Sequence, residues 1–159
     1  VDTCSSMTTG QGMLVGNSSS ALLLVHAESD DNPNVYPRQI RINARPLHAY
    51  TRVPGGKTRY LSELSAGDGI LVVDHSGNTQ VSVVGRLKIE KRPLMLVTAK
   101  SGDRAITTIV QNAETIRLTR PDGEAVSVVS LTPGDEVLVA LEAAGRHFGH
   151  KVDETITEK

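Results

Sequence analysis

The sequence has few aromatic residues, a single cysteine and no excess of either charge. Only 3% of its 159 residues are aromatic and none is tryptophan, which argues against the stacking surfaces that bind single-stranded nucleic acid. Seventeen basic side chains against eighteen acidic ones leave a formal net charge of -1, so no overall positive field attracts nucleic acid or an anionic membrane. Apolar runs such as residues 21–25 are far too short to span a bilayer. We therefore expect no nucleic-acid or membrane partner.

The lone cysteine, Cys4, excludes an internal disulfide and favours a reducing compartment, so we expect a cytoplasmic protein. The first residues, Val-Asp-Thr-Cys, include neither an initiator methionine nor the charged and apolar regions of a secretory signal. We expect the chain to be part of something longer, completed by a missing N-terminal half or by a second copy of itself. Its hydrophobic content of 38% suffices for one substantial core or two small ones.

Short runs rich in Val, Ile, Leu and Thr alternate with Gly, Pro, Asn and Asp, a pattern typical of all-β folds. No segment has the periodicity of a convincing amphipathic helix. The sequence predicts a mainly β protein with little helix, built as a small antiparallel barrel or sandwich. The predicted strands cover residues 13–15, 22–27, 39–43, 47–53, 70–74, 80–90, 94–99, 104–111, 115–119, 125–129, 136–141 and 148–153.

Three connectors, at residues 74–78, 100–103 and 120–123, are rich in the residue types that tight hairpin turns require. Each predicts a pair of antiparallel neighbours. The polar segment 29–37 has prolines at both positions 33 and 37, and it predicts an exposed loop that borders a cleft.

A weak internal repeat aligns residues 64–72 with residues 131–139. Each copy has a leucine, then a Gly-Asp pair, then an apolar strand, which fits two related β subdomains or two halves of one barrel. The Gly-Asp pair is better explained as a turn than as a binding element. We expect a β segment over residues 1–60 that carries most site residues, and a β-barrel-like region over residues 61–159.

The stretch 53–64 is the main candidate site, because glycines, a lysine, an arginine and a tyrosine lie close together between two strand-like runs. Gly55 and Gly56 permit backbone angles closed to other residues and let a ligand approach the main chain. Lys57, Arg59 and Tyr60 add positive charge and hydrogen-bond donors. An anion-binding loop and an ordinary Pro-Gly hairpin with a solvated basic tip both fit these residue types.

Histidines and carboxylates supply further candidates. His26 and Glu28 stand two apart on a predicted strand and leave the same face, which suits a metal or acid/base pair but equally a solvent-facing strand end. His48 shares a strand face with Tyr50 and Arg52, and that face leads towards Lys57. Weaker candidates are Glu114, in a polar interruption between two apolar strands, and His147, between two glycines.

Two glycine-rich segments resemble parts of nucleotide-binding motifs, but neither matches a complete motif. Residues 56–58, Gly-Lys-Thr, end like a phosphate-binding loop, but Thr51 stands where the first glycine belongs and no helix is expected to follow. The glycines at positions 10, 12 and 16 have the wrong spacing for a dinucleotide fingerprint. Any nicotinamide cofactor must be held in another way.

Eight longer words are collinear over essentially the whole chain: VDTC at 1–4, GMLVG at 12–16, LVHAE at 24–28, RINA at 41–44, HAY at 48–50, VPGGKTRYLSEL at 53–64, QNAETIRL at 111–118 and GRHFG at 145–149. Together they resemble the C-terminal half of the 3-dehydroquinate synthase II family, which includes the 3-amino-4-hydroxybenzoate synthases. Their length and order make the resemblance specific.

The resemblance implies an enzyme of an alternative shikimate-pathway route to aromatic amino acids. Such an enzyme oxidatively deaminates 2-amino-3,7-dideoxy-D-threo-hept-6-ulosonate, an amino-sugar acid, with NAD, and cyclises the diketone to 3-dehydroquinate. The sister branch is instead a lyase-type cyclase that makes an aminohydroxybenzoate with a divalent metal such as manganese or magnesium. The intact GGKTRY and QNAE words favour the dehydroquinate branch. A non-catalytic β-barrel module that binds a partner is the alternative from another class.

Within that expectation, residue roles are hypotheses from side-chain chemistry. Lys57 can hold the substrate carboxylate as a cation, or act as an amine base or Schiff-base former if Arg59 and burial favour its neutral form. Arg52 and Arg59 can clamp the carboxylate, with Gly55, Gly56 and Tyr60 completing the substrate site.

The imidazoles and carboxylates are expected to move protons or bind metal. His26, Glu28 and His48 form the preferred set for a divalent metal, or for proton transfer during enolisation and ring closure. Glu114 and His147 are the second choice for metal ligands.

Overall fold

The computed structural model describes residues 1–28, 41–44 and 46–142, and the backbone of residues 146–147 and 150–151. The regular structure in these ranges is almost all antiparallel strand, with two short 3-10 helices at Leu61–Glu63 and Val128–Ser130. The strands are β1 (Asp2–Thr3), β2 (Gln11–Ser18), β3 (Ala21–His26), β4 (Tyr50–Val53), β5 (Lys57–Tyr60), β6 (Gly69–Asp74), β7 (Thr79–Arg86), β8 (Leu94–Ser101), β9 (Arg104–Gln111), β10 (Arg117–Thr119), β11 (Ala125–Ser127), β12 (Val139–Leu141), β13 (Arg146–His147) and β14 (His150–Lys151).

The β2–β3 hairpin is the centre of the main sheet. All six residues of β3 are buried, as are five of the eight in β2, because strands covered on both faces require near-continuous apolar sequence. Strand β2 also pairs with β4 and β6, and β3 also pairs with β10 and β12. The longest path across the sheet runs β1-β7-β6-β2-β3-β10-β11.

The main core lies on one face of this curled sheet. Met13, Val15, Leu23 and Val25 point into it, while the alternate residues of the same strands, including Leu14 and Leu24, belong to a smaller cluster on the opposite face. The β8–β9 hairpin forms a separate two-stranded sheet. Its strand β9 packs against the main core through buried side chains, whereas β8 leaves alternate residues exposed.

The sequence repeat corresponds to two structurally equivalent units. Each consists of a hairpin, a 3-10 helix, a glycine turn and a strand: β4, β5, Leu61–Glu63 and β6 in the first, and β10, β11, Val128–Ser130 and β12 in the second. Equivalent residues differ by 67 in number, since β4 begins at Tyr50 and β10 at Arg117. The amide of Leu61 donates to Ala49 O at 2.9 Å, and the equivalent amide of Val128 donates to Ile116 O at 2.9 Å.

The two units pair with the central β2–β3 hairpin in the same register. Thr51 of β4 lies opposite Val15, and its equivalent Leu118 lies opposite Val25. Val72 of β6 likewise lies opposite Met13, and its equivalent Val139 opposite Leu23. Strand β2 therefore maps onto β3 with a shift of ten residues. Leu14 and Leu24, which are ten apart, face each other directly, so a local two-fold axis passes between them.

The predicted fold class and hairpins are confirmed. The main sheet is antiparallel, and the connectors at 74–78, 100–103 and 120–123 join β6 to β7, β8 to β9 and β10 to β11. The repeat is confirmed as two related units, although both complete one sheet. The proposed division at residue 60 stays a prediction, and the β2–β6 pairing spans that position.

Several predicted strand ends are wrong. Residues 47–49 precede β4, because the carbonyls of Leu47 and Ala49 accept amides of the 3-10 helix at Ser62 and Leu61. Residues 136–138 are not in β12: the Leu138 amide bonds to Thr119 O, and its carbonyl accepts from Leu24. Strand β7 ends at Arg86 instead of residue 90.

Some predicted elements fall partly or wholly on residues that the structure does not describe. The predicted loop 29–37 lies outside the described residues, as do most of the predicted strand 148–153 and part of 39–43. No helix in the described part of the chain is long and apolar enough to cross a membrane.

Candidate functional site

The β4–β5 hairpin carries most of the predicted site residues, but on two faces. Tyr50 lies opposite Tyr60, and Thr51 opposite Arg59. Since directly opposed residues of antiparallel strands share a face and alternate along each strand, Tyr50, Arg52 and Tyr60 lie on one side. Lys57 and Arg59 lie on the other.

The tip of this hairpin is open. Gly55 and Gly56 have φ angles of +83° and +70°, a left-handed conformation that side chains disfavour. A Cβ built on either glycine would meet no atom of the described residues within 4 Å. Lys57 is exposed, and among the described residues no carboxylate pairs with it. Within the described part of the chain, the backbone of Gly55 and the ammonium group of Lys57 are therefore accessible to a ligand.

Each arginine of the hairpin already has a carboxylate partner. Arg52 contacts Glu142 at 2.8 Å, with both side chains largely buried, and Arg59 contacts Asp68 at 3.2 Å near the surface. The predicted joint clamp is not formed, because the two guanidinium groups lie on opposite faces. A substrate carboxylate would have to share or displace one of these partners.

The two tyrosines form a single unit. Their ring centroids are 4.6 Å apart, and the hydroxyl oxygens lie 2.9 Å from each other in a hydrogen bond. Tyr60 is 40% exposed, so the pair offers a hydroxyl to solvent on the same face as Arg52.

His26 is held inside the protein by backbone hydrogen bonds. It is 3% exposed, its Nε2 accepts the Gly10 amide at 2.9 Å, and its Nδ1 donates to Ala27 O at 2.6 Å. These bonds define a neutral ring with both nitrogens used. A role as metal ligand would require one of them to break.

The other candidate ligands have surroundings of their own. Glu28 accepts a hydrogen bond from Asn43 Nδ2 at 2.7 Å, whereas His48 lines a groove beside Val1 and Leu61. Glu114 is exposed in the turn between β9 and β10. The side chain of His147 lies outside the described residues.

These positions do not fit the expected metal site. Among the residues that the structure describes, no three His, Cys, Asp or Glu side chains form a group able to hold a metal ion. The preferred set of His26, Glu28 and His48 is therefore not assembled by this chain as described.

The glycine turn at residues 55–56 does not have the arrangement of a dinucleotide fingerprint. It leads into strand β5, and not into a helix whose N-terminus could receive a pyrophosphate.

Sequence reasoning missed a charged cluster around Asp2. The carboxylate is nearly buried and accepts Arg41 Nε at 3.1 Å and Arg86 Nε at 2.7 Å. Burial raises the pKa of Asp2, but the hydrogen bonds and charges of the two arginines outweigh it and hold the pKa below its ordinary value. The VDTC segment, which contains Asp2, was the sequence signal for this cluster, although neither arginine is close to it in sequence. The cluster fixes the N-terminal strand to β7.

The fold and the hairpin together define a class: an all-β domain built from two equivalent units, one of which presents a glycine-tipped, cationic hairpin. The family model for the 3-dehydroquinate synthase II C-terminal domain matches residues 1–159. The chain therefore belongs to the 3-dehydroquinate synthase II family and corresponds to its C-terminal domain.

Curated relatives agree with this assignment. The chain is similar to the 3-dehydroquinate synthases of Methanopyrus kandleri (60% identical over 162 residues) and Methanoculleus marisnigri (58% over 159 residues), and to a 3-dehydroquinate synthase homolog of Aquifex aeolicus (54% over 159 residues). Each match covers the whole of this chain but only 40%, 48% and 48% of the relative, respectively. No solved structure matches the chain significantly.

Proposed function

We propose that this chain is the C-terminal domain of an enzyme that converts 2-amino-3,7-dideoxy-D-threo-hept-6-ulosonate to 3-dehydroquinate by NAD-dependent oxidative deamination and cyclisation. The observation that carries the proposal is the family match over all 159 residues, with relatives at 58% and 60% identity named 3-dehydroquinate synthase. NAD would accept the hydride in such a reaction. We assign that step to no residue of this chain.

Within this proposal, the hairpin tip binds the anionic end of the substrate. Lys57 is exposed and unpaired among the described side chains, and no atom of the described residues crowds the left-handed backbone at Gly55. The Lys57 ammonium would bind the substrate carboxylate. The Tyr50–Tyr60 hydroxyl pair would offer a hydrogen-bond donor only to a substrate group on the other face of the hairpin, since the two sets face apart.

Replacing Lys57 tests this assignment. In a full-length fusion that joins the preceding region of the Methanoculleus marisnigri relative to Val1, Lys57→Met should lower kcat/KM for NADH formation from the amino-sugar acid by about 100-fold or more. The midpoint of thermal unfolding should stay unchanged, because the side chain is exposed. The matched control is Lys100→Met, an exposed lysine on β8. Equal activity of both variants would remove Lys57 from the site.

Products separate the alternative functions. NADH and 3-dehydroquinate formed by the fusion support the main proposal, and the same assay on residues 1–159 alone shows whether the preceding region is needed. A manganese-dependent aromatic product without NADH would favour the aminohydroxybenzoate branch. A folded fusion that makes neither product would favour a non-catalytic binding module.

A further inference from the structure

A large apolar groove lies at the N-terminal end of the described chain. Its volume is about 930 Å³, and we call it the N-terminal groove, lined by Val1, Leu47, Leu61, Leu87, Ile89 and Leu94. Three of these side chains remain substantially exposed: Leu47 at 46%, Ile89 at 62% and Leu94 at 48%. Large apolar side chains gathered in one concave surface mark a site that another apolar surface covers.

The course of the chain leads directly out of this groove. The nitrogen of Val1 donates to Ile42 O at 2.9 Å, a bond that a main-chain amide at the same place can also make. Any residue joined before Val1 must therefore emerge at the groove wall.

The relatives are longer than this chain, and the description of the family model places this region towards their C-terminal end. The family model describes residues 1–159 as a C-terminal domain, and the chain spans only 40–48% of the relatives named above. Their other domain is thus tethered at the groove, where its effective concentration is high.

We propose that the N-terminal groove is the docking surface for the domain that precedes this one in full-length 3-dehydroquinate synthases. The occupant presents an apolar ridge to Leu47, Ile89 and Leu94. Its edge carries carboxylates, because the described residues of the groove rim include three cations, Lys88, Lys91 and Arg92, and one carboxylate, Glu90. Docking also places His48, on the groove wall, at the junction between the domains. The inference rests on family membership and not on the proposed reaction.

Hydrogen exchange tests the docking directly. The amides in residues 87–94, apart from Pro93, which has no amide hydrogen, should exchange at least about tenfold more slowly in the Methanoculleus marisnigri fusion than in residues 1–159 alone. Exchange in β2 and β3, which are buried in both proteins, should not change. Equal exchange of residues 87–94 in the two proteins would overturn the proposal, whether the groove stays open or is already filled by this chain.

A matched pair of variants tests the apolar contact. Ile89 and Val81 are almost equally exposed, at 62% and 61%, but only Ile89 lines the groove. In the fusion, Ile89→Glu should abolish the added protection of residues 87–94, whereas Val81→Glu should leave it intact. Full protection in Ile89→Glu would overturn the proposal, and so would a dimer of residues 1–159 alone that Ile89→Glu dissociates. None of these measurements depends on enzyme activity.

Discussion

Gly12 has no side chain, and this allows strands β2 and β3 to approach each other closely at the centre of the sheet. A Cβ at this position would lie 1.9 Å from the carbonyl oxygen of Val25 and 2.8 Å from its carbon. Those atoms belong to the neighbouring strand β3, which is buried along its whole length and cannot move aside cheaply. The glycine is therefore required by the approach of two backbones.

Gly12→Ala should consequently destabilise the protein strongly. We expect a loss of about 3 kcal/mol in the free energy of unfolding, since an added methyl group overpacks a rigid site. Gly55→Ala is the control: its φ of +83° is strained for alanine, but no atom lies within 4 Å, so the cost should be about 1 kcal/mol. Urea unfolding of both variants measures the difference. A smaller loss for Gly12→Ala than for Gly55→Ala would contradict the close approach.

His26 illustrates how far residue-level prediction reaches. The alternation of the sequence placed His26 on a strand, and the strand is observed. Both ring nitrogens of His26, however, are used in hydrogen bonds with the backbone of Gly10 and Ala27. A hydrogen bond from a glycine amide sixteen residues away depends on the β2–β3 register, which local sequence does not encode.

At the scale of elements, the two equivalent units use one device to turn the chain after each 3-10 helix. Asp68 Oδ2 accepts the Ser65 amide at 2.8 Å, and Asp135 Oδ2 accepts the Thr132 amide at 2.9 Å. The preceding residues, Gly67 and Gly134, both have positive φ angles. The Gly-Asp pair thus acts as a turn, as the sequence predicted, in both copies.

Asp68→Ala and Asp135→Ala should therefore have similar effects. Each removes a charged acceptor from a turn amide and an ion pair with Arg59 or Arg120, so each should lower the midpoint of thermal unfolding by a few degrees. Calorimetry on the two single variants checks this. Asp103→Ala, in the β8–β9 turn outside both units, is the control and should have little effect. Strongly unequal losses at 68 and 135 would show that the turns are not energetically equivalent.

The elements also show why some boundaries could be predicted and others could not. Hairpin turns were predicted correctly because glycine, aspartate and proline determine turn geometry locally. Strand ends were missed where a backbone group finds a partner far along the chain, as Leu138 does with Thr119 and Leu24. The split of Arg52 and Arg59 between two faces depends on the β4–β5 register, although both were correctly placed near one hairpin.

At the scale of the whole molecule, four carboxyl groups among the described residues have pKa values below their ordinary range. Lys88 and Arg92 lower the pKa of Glu90 to about 2, and hydrogen bonds from Asn78 and Thr132 lower those of Asp74 and Asp135. Asp2 is the nearly buried member of the set. A carboxyl group with a lowered pKa in the folded state binds protons less readily than in the unfolded chain, so acid favours unfolding.

The lowered pKa values of these carboxyl groups should therefore make the stability of the chain fall as the pH drops below about 4. Asp2→Asn should be less stable than the wild type at neutral pH. The difference in stability between the two proteins should narrow as the pH falls from the ordinary Asp pKa of 3.8 through the lower pKa of the folded state. In that range the Asp2 carboxylate of the wild type becomes protonated. Thermal unfolding of both proteins across this range measures the difference. If the difference in stability at the lowest pH equals that at neutral pH, Asp2 contributes no ionic stabilisation.

The interleaving of the two units affects how the chain can fold during synthesis. Strand β3 belongs by symmetry with β10 and β12, yet it is made before any part of β4. One edge of β3 must wait for roughly a hundred further residues before its partners leave the ribosome. A nascent chain stopped after β6 would hold a complete first unit beside an apolar strand with an unpaired edge, which is the kind of surface that chaperones bind.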